Sequence, residues 1–397
     1  MNRYVIKNCK LIPELTEGTG LSEADVLIEE DRIADIAEVG TVFEDISETI
    51  DVGHATLMPG LIDAHVHLRW LEESSWVTDV RPSWRSFDEY HYARFMLENG
   101  YTTVRDCGDD KCLASEAVRD AEKAGYIEGP RVICAGPTLL PANLNTFPCR
   151  QFHHVIAGRD NVRALVRDNI CYGADFIKLY GSGSLMTEGN DPNIKIIEED
   201  EIDEVVKIAT SRGTYCAIHA HGSEAIDAAV RNGVRTIEHA SFITEETLQR
   251  LEGRTDMGIV PTVGILHNLT KHGKGSYVDN EDRRVKTIRQ VYECIGNAYH
   301  NHNVLIGWGT DIALDSYEEN PYIEIQTRKN ELGFSNIDIL KQMTINSAKL
   351  LCLDNEIGTV KIGKCADFVV IDGNPAEDIA AMYKKPVHVI RKGRVIY

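Results

Sequence analysis

The sequence predicts an α/β protein: a (β/α)8 TIM-type barrel carrying a small β-sandwich built from both ends of the chain. Three observations point there. Between residues 57 and 307, eight short apolar segments that read as strands alternate with helical segments. The two chain ends share a different character, with short strand-like runs separated by turns. Histidine, aspartate and a lysine recur at or near the ends of several predicted barrel strands, the face on which such barrels place their active sites.

The N-terminal end has strand-like runs at 4–6, 24–28 and 32–36, and the C-terminal end at 358–360, 366–371 and 387–395. Such short strands gain little stability within either end alone. Pairing across the ends is therefore expected, with residues 1–57 and 355–397 forming the β-sandwich domain and 58–354 the barrel. Within the barrel, Ser86 and Glu89 form a capping box for a helix that stops at Asn99-Gly100. The predicted barrel strands are 57–64, 101–106, 131–135, 175–180, 215–219, 235–239, 259–262 and 304–307. Helices are expected over 159–171, over 199–211 and after Ser223. The acidic run 198–201 suits a helix N-terminus.

Composition narrows the function. The chain has 397 residues, 43% hydrophobic and 26% charged, enough for an ordinary packed core. Asp and Glu number 62 against 42 Lys and Arg, a net charge of −20. Without a Lys/Arg run, this charge repels nucleic acid and anionic membrane. No apolar stretch reaches the roughly 18 residues of a membrane span. The N-terminus has no long apolar run of the secretory kind, so a cytoplasmic protein is expected. The ten cysteines form no CxxC pair and read as reduced, mostly buried thiols. Neither a dinucleotide GxGxxG after a first strand nor a GxxxxGK[ST] loop occurs, which argues against nicotinamide and P-loop chemistry.

The sharpest motif is Met58-Pro59-Gly60-Leu61-Ile62-Asp63-Ala64-His65-Val66-His67. Strand side chains two apart point the same way, so His65 and His67 can grip one metal. His219, His239 and Asp311 sit at other predicted strand ends. Imidazole with carboxylate suits zinc or a similar ion. Lys178 lies within a buried strand, where an amine is costly unless paired or modified. Two readings stay open for it: an ion pair with Asp175 or Glu238, or a carbamate formed with CO2 that bridges two cations. His221 points the same way as His219.

Taken jointly, MPGLIDAHVHL, GADFIKLYGSGS, AIHAHG, RTIEHA and GWGTDI resemble the amidohydrolase superfamily. The likeness is to its imidazolonepropionase-related, prolidase-like branch of binuclear-zinc dipeptidases, and it runs over nearly the whole chain. It implies two divalent metal ions, zinc being the expected one. His65, His67 and Asp311 would hold the more buried ion and His219 and His239 the second, with Lys178, carboxylated on Nζ, bridging both. A bridging hydroxide would attack an amide carbonyl, and Asp311 would pass its proton to the leaving amine. His221 stands where close relatives often carry a Tyr that stabilises the oxyanion; a His can do the same or can ligate.

The implied substrates are dipeptides or N-acyl amino acids, as for Xaa-Pro or Xaa-Arg/Lys dipeptidases. The alternatives are a cyclic amide, urea or lactam, and more remotely a catalytically silent scaffold of the same fold. Deaminase-type relatives carry a Glu three residues after the strand-five His, where this chain has Gly222. Arg150, His153 and His154 are the candidates for binding a substrate carboxylate. Family likeness also implies a homo-oligomer.

Overall fold

The computed structural model describes residues 3–68, 82–108, 111–141, 153–185, 191–267 and 280–397. Arg150 lies outside the described residues. The first strands are β1 (Arg3–Leu11), β2 (Glu23–Glu29), β3 (Arg32–Ala37), β4 (Glu48–Asp51) and β5 (Thr56–Pro59). The barrel region follows with β6 (Leu61–Val66), β7 (Tyr101–Asp106), β8 (Arg131–Cys134), β9 (Leu139–Pro141) and β10 (His154–Ile156). It continues with β11 (Ile177–Tyr180), β12 (Cys216–Ala220), β13 (Thr236–His239) and β14 (Gly258–Val260). The C-terminal end adds β15 (Phe368–Ile371), β16 (His388–Arg391) and β17 (Arg394–Val395).

The chain ends meet in one sheet of order β17-β16-β15-β5-β1-β2-β3, with β4 also on β1. The joining register is antiparallel, Val369 opposite Met58. Alternation along these strands divides their side chains between two cores. Leu57, Phe368, Val370 and Ile390 pack with Tyr4, Ile6, Val26 and Ile28 in a small core of the terminal sheet. Met58, Val369, Ile371 and Val389 join the main barrel core. A strand buried on both faces needs an unbroken apolar run, which is why 368–371 reads Phe-Val-Val-Ile. The expected strand at 358–360 forms only one bridge, Thr16 to Val360. Gly358 and Gly363 there take φ of 92° and 90°, which turns the chain out of an extended path.

In the barrel, β6-β7-β8 form one parallel sheet and β10-β9-β11-β12-β13-β14 another. The short strands β9 and β10 were not expected, since three residues carry no readable period. The predicted eighth strand runs between β14 and β6. Ile259 N donates to Leu305 O at 3.0 Å, Gly307 N to Ile259 O at 2.9 Å, and Ala64 N to Trp308 O at 2.9 Å. It is irregular, with one formal bridge at Ile306. A buried arginine helps to hold it. Arg328 donates to Gly307 O at 2.9 Å and to Glu324 at 2.7 Å, and lies 4.6 Å over the Trp308 ring. At the opposite seam Asp175 N donates to Cys134 O at 2.7 Å, but no continuous ladder joins β8 to β11.

The intervening helices include α1 (Pro82–Glu98), α2 (Ala114–Lys123), α3 (Arg159–Cys171), α4 (Glu199–Ser211), α5 (Ser223–Arg231), α6 (Glu245–Leu251) and α7 (Glu281–His300). Helix α1 starts ahead of the expected cap Ser86, at a proline, whose fixed φ suits a first helical turn. The described cysteines are free. Among the described residues no helix is long and apolar enough to cross a membrane.

Candidate metal centre

Strand parity aims the donors inward. On β6, Ile62 and Ala64 pack outward on Ala348, Leu350 and Leu351. Asp63 and His65, with His67 just beyond the strand, therefore share the opposite face. On β11, Ile177 and Leu179 join the outer core, leaving Lys178 and Tyr180 inward. On β12, Cys216, Ile218 and Ala220 do the same, leaving Ala217, His219 and then His221 inward.

At β13 parity alone would exclude His239, because Ile237 faces outward and Glu238 inward. The backbone resolves the conflict. His239 and Ala240 take φ of 70° and 49°, so the chain turns and both Glu238 and His239 reach the interior. Asp311 also lies in the left-handed region, at φ 52°, with its N–H donating to His65 O at 2.9 Å. Backbone strain of this kind concentrates at functional sites.

The donors converge. Asp311 Oδ1 lies 3.5 Å from His65 Nε2 and 3.6 Å from His67 Nε2. Donors 2.0–2.2 Å from one tetrahedral ion stand about 3.3–3.6 Å apart, so Asp311 Oδ1 stands at single-ion spacing from each of these two histidines. By distance, His65, His239 and Asp311 form one group that could hold a metal, and His219, His221 and His239 form another. The His219 and His239 rings lie 4.6 Å apart, and His221 stacks on His239 at 4.7 Å. His65 Nε2, Asp311 Oδ1 and Lys178 Nζ are buried with no hydrogen-bond partner among the described residues. Buried polar atoms are nearly always paired, so three such atoms among these donors call for a further ligand.

Three of the histidines have one ring nitrogen turned to an acceptor. His65 Nδ1 donates to Glu238 at 2.7 Å, His67 Nδ1 to Gly108 O at 3.3 Å, and His219 Nε2 to Gly183 O at 3.2 Å. Each acceptor is a carbonyl or carboxylate, so the other ring nitrogen keeps its lone pair. Burial holds His65, His219 and His239 well below the ordinary imidazole range. Burial also lowers His221 to about 3, so that ring is neutral at working pH. Burial pushes Asp311 well above the usual carboxylate range, with Lys178 opposing the rise. A bound cation would reverse that cost.

Neither partner expected for Lys178 takes it. Asp175 receives Arg119 at 3.0 Å. Glu238 receives Arg105 at 2.7 Å as well as His65. Glu238 and Arg105 are the residues that sequence reasoning undervalued. Their only signal was a charge within a predicted buried strand, the same signal that marked Lys178.

Of the carboxylate-binding candidates, His153 bonds Thr138 Oγ1 through Nδ1. His154 is half-buried on β10, and its pKa is lowered by burial. Neither belongs to the two donor groups around Asp311 and His239.

Gly309 sits where a side chain cannot. A Cβ there would come within 2.5 Å of Val260 Cγ1 and 2.7 Å of His65 Cβ. Gly309→Ala is therefore expected to cost about 1–3 kcal/mol of stability and to displace His65. Thermal melting together with metal titration checks both effects.

The model of the amidohydrolase family matches residues 56–396. The chain belongs to the amidohydrolase family. The family span takes in all the donors above, from His65 to Asp311. This amidohydrolase is 24% identical to ochratoxinase of Aspergillus niger, over 96% of its own length and 84% of that protein. Its fold matches the crystal structure of a Xaa-Pro dipeptidase with bound methionine, at TM-score 0.86 and 26% identity over 99% of both chains. It also matches a prolidase complexed with N-methylphosphonate-L-proline, at TM-score 0.83 and 26% identity over 99% of both chains.

Proposed function

We propose that this amidohydrolase uses two divalent cations, zinc by the donor chemistry, to hydrolyse the amide bond of a dipeptide or N-acyl amino acid. The observation that carries the reading is Asp311 Oδ1 at single-ion spacing from both His65 Nε2 and His67 Nε2, with the nearby Lys178 Nζ buried and without a hydrogen-bond partner among the described residues. Similarity along the full chain to the Xaa-Pro dipeptidase and the prolidase supports the substrate class.

In this reading His65, His67 and Asp311 hold one ion, and His219 and His239 the other. Lys178, carboxylated by CO2, would serve both sites, because a carbamate replaces a costly buried amine with an anion that cations favour. Bound there, the cations supply Lewis acidity and lower the pKa of water. Asp311 takes the proton of the attacking water and delivers it to the leaving amine. His221, neutral and bonded through Nδ1 to Ser241 Oγ at 2.7 Å, directs Nε2–H at the developing oxyanion.

The distances favour a second role for His221, since its donor atom lies within 4.8 Å of those of His219 and His239. Metal content separates the roles. His221→Phe is expected to keep two metals per chain while losing turnover; loss of one metal would make it a ligand instead.

Elemental analysis of zinc- and bicarbonate-loaded protein, followed by a panel of Xaa-Pro, Xaa-Arg, Xaa-Lys and N-acyl amino acid substrates, tests the whole reading. About two metals per chain and chelator-sensitive turnover are expected. Turnover of cyclic amides with no linear substrate accepted would overturn the substrate class.

A further inference from the structure

The polar layer beneath the metal centre has a defined donor and acceptor order. Arg105, Thr236 and Glu238 are all buried. Arg105 reaches three groups: Nε donates to Ala64 O at 2.6 Å, Nη1 to Thr236 Oγ1 at 3.0 Å and Nη2 to Glu238 Oε1 at 2.7 Å. The Thr236 hydroxyl, having accepted from Arg105, donates to Glu238 Oε1 at 2.6 Å. Glu238 Oε2 then takes the His65 Nδ1–H at 2.7 Å. Glu238 therefore accepts from three donors, which a carboxylate can do and a neutral amide cannot without turning its NH2 toward a donor. Ala64, whose carbonyl Arg105 grips, is the residue before His65. The arginine thus restrains the backbone and, through Glu238, the ring.

We propose that Glu238, clamped by Arg105 and Thr236, is a positioning residue that holds His65 in the tautomer and orientation needed to bind a cation through Nε2. The cluster formed by His65, Cys107 and Glu238 is then a support for the centre. The guanidinium on Glu238 opposes a cation there, and burial keeps the Cys107 thiol protonated by raising its pKa to about 12. The inference rests on the metal-dependent reading above.

Glu238→Gln tests it, because the volume is kept and one of the three accepted bonds must fail. The probe is Co(II), titrated into the metal-free full chain against a chromophoric chelator. The expected result is a loss of about 10–100-fold in affinity at one of the two sites. The visible cobalt spectrum should change, while the metal-free melting temperature stays close to that of the parent. Thr236→Val, which removes one donor to Glu238, should give a smaller loss in the same direction and serves if the glutamine variant does not fold. A variant that melts earlier when metal-free, yet binds Co(II) with parental affinity and spectrum, overturns the inference and leaves Glu238 a purely structural role. A parent chain that binds no Co(II) overturns the metal-dependent reading itself, which keeps the two failures distinct.

Discussion

Asp311→Asn is expected to lower kcat by about 10²–10⁴-fold while the protein stays folded, because the amide cannot take up the proton of the attacking water. The side chain is buried, and its Oδ1 faces both His65 Nε2 and His67 Nε2. Asparagine keeps the size but loses the charge that offsets a cation. Weaker retention of one metal is therefore expected alongside the loss of turnover. The fold should survive, since the backbone bond from Asp311 N to His65 O does not involve the side chain. Circular dichroism, metal content and single-turnover rates read the three consequences separately. A variant with parental kcat would remove Asp311 from the chemistry.

Lys178→Met is expected to have opposite effects on stability and on loading. The Lys178 amine is buried at 1% exposure, with Nζ lacking a hydrogen-bond partner among the described residues. Replacing it by an apolar side chain of similar reach removes a buried polar group without a hydrogen bond, so metal-free protein should gain about 1–3 kcal/mol. The same change removes the only group proposed to span both ions, so metal content should fall from about two per chain to one or none. Melting in chelator measures the first effect and elemental analysis the second. In Lys178→Ala, added acetate should restore part of the second metal, because a small carboxylate can occupy the space of the carbamate. Full metal loading of Lys178→Met without any added acid would eliminate the bridging role.

Much of this centre was legible in the sequence because strand geometry is local. The spacing of His65 and His67, and of His219 and His221, directs each pair to one face whatever the rest of the chain does. The same parity places Lys178 inward beside outward-facing Ile177 and Leu179. The terminal sheet was legible for a related reason, since the short apolar runs of the two ends needed partners that neither end alone supplied. Where local signals were weak, the reading missed. β9 and β10 are too short to show a period, and 358–360 is bent by its glycine neighbours.

By itself, then, the sequence determined the alternation of strands and helices, the donor types and the parity that points them inward. The alternation and the parity follow from repeats of two or 3.6 residues along the chain, and the donor types are read directly from the residues. Tertiary structure decided the rest. Glu238 and His239 are consecutive, yet both face the interior, because the backbone makes a left-handed turn at φ 70° on His239. Arg105 finds Thr236 and Glu238 across 131 and 133 residues of chain. That arginine takes Glu238 and Arg119 takes Asp175, the two partners that the sequence offered the Lys178 amine. Backbone turns against intrinsic preference, and bonds between distant buried charges, exist only once the barrel has brought those strands together, so no local pattern encodes them.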